Sequence, residues 1–88
     1  MLLSLDYDRT YTEDPALWGR FILMALDAGH EIICITMRSV EFTWPGEPKI
    51  PVYCTKGQAK VAWAKEAKLL VDIWIDDQPS KLLFGASG

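Results

Sequence analysis

Residues 32–35 read Ile-Ile-Cys-Ile, and a run with no polar residue between its apolar ones has no face to turn to water. A strand built from it must be covered on both sides, the condition of a central strand in a parallel sheet flanked by helices. Glu31 and Thr36 bound the run at ordinary strand length. Two other apolar runs end in acids: Leu2-Leu3-Ser4-Leu5 leads into Asp6-Tyr7-Asp8, and Val71-Asp72-Ile73-Trp74-Ile75 leads into Asp76-Asp77. Residues 50–53 supply a third, shorter strand.

Helical patterns separate these runs. Asp14 is placed as an N-cap with Pro15 at the first helical position, Leu17, Phe21, Met24, Ala25 and Ala28 recur at helical spacing, and Gly29 closes the segment. Residues 58–69 are rich in Lys and Ala and predict an amphipathic helix with Val61, Ala62 and Trp63 among its packing residues. Between Thr36 and the third strand, Trp44-Pro45-Gly46 and Pro48 break any regular helix, so residues 37–49 read as a loop. The tail from Phe84 to Gly88 is expected to fray.

Strands alternating with helices imply parallel crossovers and an α/β sheet whose ligand site lies outside the carboxyl ends of the strands. Three polar clusters fall at that edge: Asp6/Asp8/Thr10, Thr36/Arg38 and Asp76/Asp77. The Lys56/Lys60 pair opens the helix after the third strand.

Composition narrows the function classes. Eighty-eight residues, half of them apolar and 11% aromatic, suit one packed domain over residues 1–88. Some of the aromatics are also available for a contact between copies, which leaves a homo-oligomer open. A net charge of −3 without a Lys/Arg stripe argues against binding nucleic acid through bulk electrostatics, although nucleic-acid ends stay open as substrates. The opening apolar stretch stops at Asp6, too short for a signal peptide or a membrane span, so the expected compartment is the cytoplasm and no membrane partner is expected. Cys34 and Cys54 lack the close pairing of a redox or zinc motif and read as reduced structural thiols. His30, without a second histidine or a nearby cysteine, reads as a turn residue.

The sequence Asp6-Tyr7-Asp8-Arg9-Thr10 after an apolar strand resembles the first motif of the haloacid dehalogenase-like superfamily, Asp-x-Asp-x-Thr. The order of the rest follows: Ile-Cys-Ile-Thr ending at Thr36 is similar to motif two, Lys56 or Lys60 to motif three, and Ile75-Asp76-Asp77 to motif four. Asp-Tyr-Asp-Arg-Thr-Tyr-Thr together with Trp-Ile-Asp-Asp-Gln-Pro resembles short hydrolase-like proteins of bacterial viruses. The resemblance implies a Rossmann-like three-layer α/β sandwich with a short parallel sheet in the order 4-1-2-3. Neither place where the family inserts a cap domain has room for one here.

That resemblance also implies a chemistry, and each residue type suits it. A phosphomonoester is anionic, so a carboxylate nucleophile needs cations to offset the repulsion, and Mg²⁺ with oxygen ligands is the expected cofactor. The implied metal ligands are Asp6, Asp76, Asp77 and Asp8, the last through its backbone carbonyl. Asp6 is the expected nucleophile and is kept ionised by the metal; Asp8 is the expected acid and base and retains a proton part of the time. Thr36 is expected to donate to a phosphoryl oxygen and Lys60, favoured over Lys56, to balance its charge. Arg38 is read either as orienting the substrate or as pairing with Glu31, Glu41 or Asp77. Arg9 stands where the family often has glycine, and a side chain there can narrow the mouth of the site.

Each motif also has a plain reading. An Asp-x-Asp pair can be an acidic loop, Asp76-Asp77 can cap the turn at Pro79, Thr36 can simply be a β-branched strand residue, and either lysine can be a solvated helix charge. The tryptophans are expected to pack or to form an interface, except that Trp44, in the loop after Thr36, is a candidate to fold over the site. Phosphomonoester hydrolysis is the first expectation, with a phosphorylated small molecule or macromolecule end as partner. A non-catalytic Mg²⁺/phosphate-binding or assembly module is the second. A receiver-type phosphoacceptor domain is the third, disfavoured because no acid ends the strand before Thr36.

Overall fold

Each apolar run forms a strand, and each strand lies parallel to its neighbour because the intervening chain returns to the same edge. The computed structural model describes residues 1–85. Strands β1 (Leu2–Leu5), β2 (Glu31–Thr36), β3 (Val52–Cys54) and β4 (Ile73–Ile75) make one sheet in the order β3-β2-β1-β4, the expected order read from the other edge. All three pairings are parallel. Helix α1 (Pro15–Asp27) joins β1 to β2, α2 (Lys60–Glu66) joins β3 to β4, and the single turn α3 (Ser80–Leu83) follows β4 against α2.

The two-residue period of the strands divides the core between the sheet's faces. Leu3, Leu5, Ile32 and Cys34 pack with Ile22 and Ala25 of α1, whereas Ile33 and Ile35 pack with Ala64 of α2. Both faces of β2 are therefore covered, as its unbroken apolar run requires. Asp14 caps α1 by accepting from the backbone N–H of Leu17 at 3.1 Å, with Pro15 at the first helical position. Gly29, at φ +88°, ends the helix in the left-handed conformation that glycine adopts freely. Among the described residues no helix is long and apolar enough to cross a membrane.

The expected boundaries shift at three places. β3 begins at Val52, because Pro51 has no N–H for the ladder and Ile50 turns into the core, 6% exposed. Residues 58–59 belong to a turn, so α2 starts at Lys60, and Ala64 rather than Ala62 is its buried alanine. β4 begins at Ile73, since the Asp72 carboxylate leaves the strand to accept from the N–H of Leu2 at 2.8 Å. The residues expected to fray lie partly outside the described chain, and Phe84 and Gly85 follow α3 without regular structure.

Loop 37–51 returns β2 to β3 without a helix, and Trp44 supplies the missing bulk. Its indole is 1% exposed and packs on Tyr11, with ring centroids 4.3 Å apart, and on Tyr7. The expectation that Trp44 folds over the site is therefore corrected. Burying a large aromatic surface holds it in the core on the α1 side of the sheet.

Lys68 sits at φ +60° just past α2, in the conformation that costs a residue with a Cβ about 1 kcal/mol. Lys68→Gly is therefore expected to stabilise the protein by about 0.5–1 kcal/mol despite the looser unfolded chain, read as a higher midpoint in chemical denaturation. An unchanged or lower midpoint would show that Lys68 is not strained.

Candidate active site

Parallel strands bring every carboxyl end to one edge, and register decides which residues meet there. Leu5 pairs with Ile75, so Asp6 and Asp76 emerge side by side, fixed by a 2.9 Å bond from the Asp6 N–H to the Ile75 carbonyl. Thr36 ends β2 beside them, 2% exposed. The chain after β3 is pinned to the chain after β2: the N–H groups of Thr55, Lys56 and Gly57 donate to the carbonyls of Thr36, Arg38 and Met37. This places Lys60 at the first turn of α2, and side chains lean toward a helix's N-terminus, here toward the strand ends.

Lys60 is only 3% exposed, and its Nζ donates to Asp6 Oδ1 at 2.9 Å and to Asp76 Oδ2 at 2.5 Å. Lys56, by contrast, is exposed on the turn at φ +59°. Of the two lysines, Lys60 is the one joined to the acids. Burial alone would lower the Lys60 pKa, but the hydrogen bonds that its ammonium donates to Asp76 and Asp6 outweigh it and raise the value. Thr10, for which the sequence suggested no separate role, lies 3.4 Å from both Asp6 Oδ2 and Asp77 Oδ1 and links the acids of β1 and β4.

Carboxylate oxygens of Asp6, Asp76 and Asp77 lie within 4.8 Å of one another, close enough to hold one metal ion. The donors are hard oxygens from a set that one divalent ion can span, and this fits Mg²⁺ better than a soft metal. Asp8 is not part of this trio. Its carboxylate turns to Arg38, which donates from Nε at 2.8 Å and from Nη2 at 2.7 Å. Arg38 pairs with none of the acids expected from sequence. Tyr7 and Phe42 explain the choice: the guanidinium lies 5.1 Å and 5.3 Å from their ring centroids, which seats it above β1's end.

The two acids that follow β1, Asp6 and Asp8, have different environments. Burial pushes the Asp6 carboxyl up to about 6; Lys60 opposes the shift, and Asp76 and Asp77 add to it. Asp8, expected to hold a proton part of the time, is instead kept below the usual carboxylate range by its bond to Arg38. Both directions follow from surroundings that motif spacing does not encode, and they are those of the site without a metal ion. Asp6 lies in the protein and Asp8 lies in a guanidinium fork at the surface.

Together these groups line an open cavity of about 240 Å³, with Asp6, Lys60, Asp76 and Thr36 toward its floor and Arg9, Arg38 and Lys81 also on its wall. Gln78 and Lys81 come from the segment after Asp77; Gln78 belongs to the Trp-Ile-Asp-Asp-Gln-Pro string, whereas Lys81 carried no recognisable signal. Cys34 and Cys54 are free thiols, and burial raises the Cys34 pKa to about 12, too high for a nucleophile. His30 lies away from the cavity, its Nδ1 3.0 Å from the amino terminus. No protein-family model, curated protein or solved structure matches the chain.

Because the folded state raises the Asp6 pKa above its unfolded value of 3.8, Asp6 stabilises the fold most when protonated. Its contribution is complete below about pH 4 and is lost as pH rises through about 6. In chelator-treated protein, unfolding free energy is expected to show this loss between pH 4 and 7, and Asp6→Asn is expected to remove that slope. Equal slopes for the two proteins would show that Lys60 fully offsets the effect of burial on the Asp6 carboxyl.

Proposed function

We propose that the chain is a capless, Mg²⁺-dependent phosphatase of the haloacid dehalogenase-like kind, hydrolysing a phosphomonoester through an aspartyl-phosphate on Asp6. The observation that carries this reading is the meeting of Asp6, Asp76 and Asp77, from opposite ends of the chain, around a buried lysine and beside Thr36. A structural salt bridge needs only one acid for one lysine. Three acids and a threonine on an open cavity suit an anion that arrives with a divalent cation.

Asp6, Asp76 and Asp77 would hold the ion. Bound there, Mg²⁺ supplies charge neutralisation for the nucleophile and the phosphoryl oxygens. The chain's own groups do the rest. Lys60 holds Asp6 Oδ1, and Oδ2, which the Thr10 hydroxyl approaches at 3.4 Å, attacks phosphorus while the bond to the leaving oxygen breaks. Thr36 donates its hydroxyl to a phosphoryl oxygen. Water then attacks the phosphorus of the aspartyl-phosphate, Asp8 accepts its proton, and phosphate departs with Asp6 restored as a carboxylate. An ionised Asp8 suits this second step, whereas protonating a poor leaving group in the first step requires Asp8 to leave Arg38 and take up a proton.

One observation favours a second reading, a non-catalytic Mg²⁺/phosphate-binding or assembly module. The bidentate bond to Arg38 engages both oxygens of the residue that should move the proton. Turnover decides between the two. Mg²⁺-dependent phosphate release from a nitrophenyl phosphate, whose leaving group needs no proton, is expected to exceed release from an alkyl phosphate. Asp6→Asn is expected to lower it by about a thousandfold or more. Absence of turnover across a varied phosphomonoester panel would favour the binding module.

A further inference from the structure

The cations of the cavity are not all engaged in the same place. Lys60 is buried and bonded to Asp6 and Asp76, where it serves the transferred phosphoryl group in the reading above. Arg9, Arg38 and Lys81 line the same cavity from its more exposed wall, and among the described residues the only carboxylate bonded to any of them is Asp8. Three of the chain's nine Lys and Arg residues thus stand at one mouth of a protein whose net charge is −3. Four carboxylates, Asp6, Asp8, Asp76 and Asp77, line the same cavity and balance its four cations, so a divalent ion on the acidic trio would leave the mouth with an excess of positive charge for an anion to share.

Arg38 is the best prepared of the three. A guanidinium has five N–H donors in a fixed fork. Two are used on Asp8, and the other three make no hydrogen bond among the described residues. The group is already immobilised by Asp8 and by the rings of Tyr7 and Phe42. Binding an anion there costs little of the side-chain ordering that a free surface arginine would lose. Its side chain is 47% exposed, so the unused donors are open to a ligand.

We propose that Arg38, with Arg9 and Lys81, forms a second anion subsite at the cavity mouth, and that the substrate is a phosphomonoester carrying a further anionic group beyond the phosphoryl that is removed. The inference rests on the phosphatase reading for the identity of the first group and extends it to the rest of the molecule. It makes Arg38 a specificity-determining residue. A substrate with one phosphate fills the floor and leaves the mouth unmatched, whereas a substrate with two spans both.

The test measures equilibrium binding to the Asp6→Asn protein in Mg²⁺ buffer, where turnover does not interfere. The probes are the bisphosphates of the straight-chain diols from ethanediol to hexanediol, each compared with the monophosphate of the same diol. At least one length is expected to bind about tenfold or more tighter than its monophosphate. Arg38→Gln is expected to cut that advantage to about twofold, Lys81→Gln to reduce it partly, and Lys65→Gln, on the surface of α2 away from the cavity, to leave it intact. Equal binding of both probe classes at every length, failure of either class to bind, or an advantage that survives both rim substitutions would overturn the subsite. Phosphate release by the wild-type protein judges the other reading separately. Turnover without a bisphosphate advantage defeats the subsite alone, and an advantage without turnover defeats the phosphatase alone.

Discussion

The ammonium of Lys60, held between Asp6 and Asp76, is the interaction on which the arrangement depends. It joins three elements that are distant in sequence: the end of β1, the start of α2 and the end of β4. Taking these charges out of water is expensive, and each is tolerated because the others are present. Removing the lysine would leave two acids side by side without a cation. A buried pair of this kind is weak evidence for stability by itself, since apolar side chains could fill the same space at lower cost. Its presence where four parallel strands end is better explained by a site that must hold charge.

Around that link, the two acids of the opening motif have been given different neighbours. Asp6 is 7% exposed and surrounded by Lys60, Thr10 and the acids after β4, whereas Asp8 stands half-exposed in the fork of Arg38. Without a metal ion, burial favours the protonated form of Asp6 and the guanidinium favours the ionised form of Asp8. A divalent ion beside Asp6 would bring it back to the ionised form. For Asp8 the corresponding change requires Arg38 to find another anion, which ties the proton chemistry to whatever occupies the mouth.

Most of the fold was legible because its signals are local. The runs at Leu2–Leu5 and Glu31–Thr36 have no other use than buried strands, and Asp14, Pro15 and Gly29 mark both ends of α1 by their backbone chemistry. The acids and Thr36 could be placed at one edge because parallel topology sends all strand ends there. What could not be read depends on packing across the chain. Trp44 sits beside Pro and Gly, as a mobile loop residue would, yet Tyr7 and Tyr11 from the turn after β1 provide the surface that buries it. Arg38 had several acids in reach by sequence, and only the placement of Tyr7 and Phe42 selects Asp8. Lys60, by contrast, is already favoured over Lys56 in the sequence by its place in the first turn of the helix, and it is the lysine bonded to the acids.

Where a phosphoryl mimic settles decides whether Asp6 is the nucleophile. A crystal structure of the protein with Mg²⁺ and BeF₃⁻ tests this directly. Beryllium is expected on Asp6 Oδ2, with the ion touching Asp6 and at least one of Asp76 and Asp77, and with Thr36 and Lys60 facing the fluorides. A fluoroberyllate bound anywhere else, or an ion held by the terminal acids without Asp6, would contradict it.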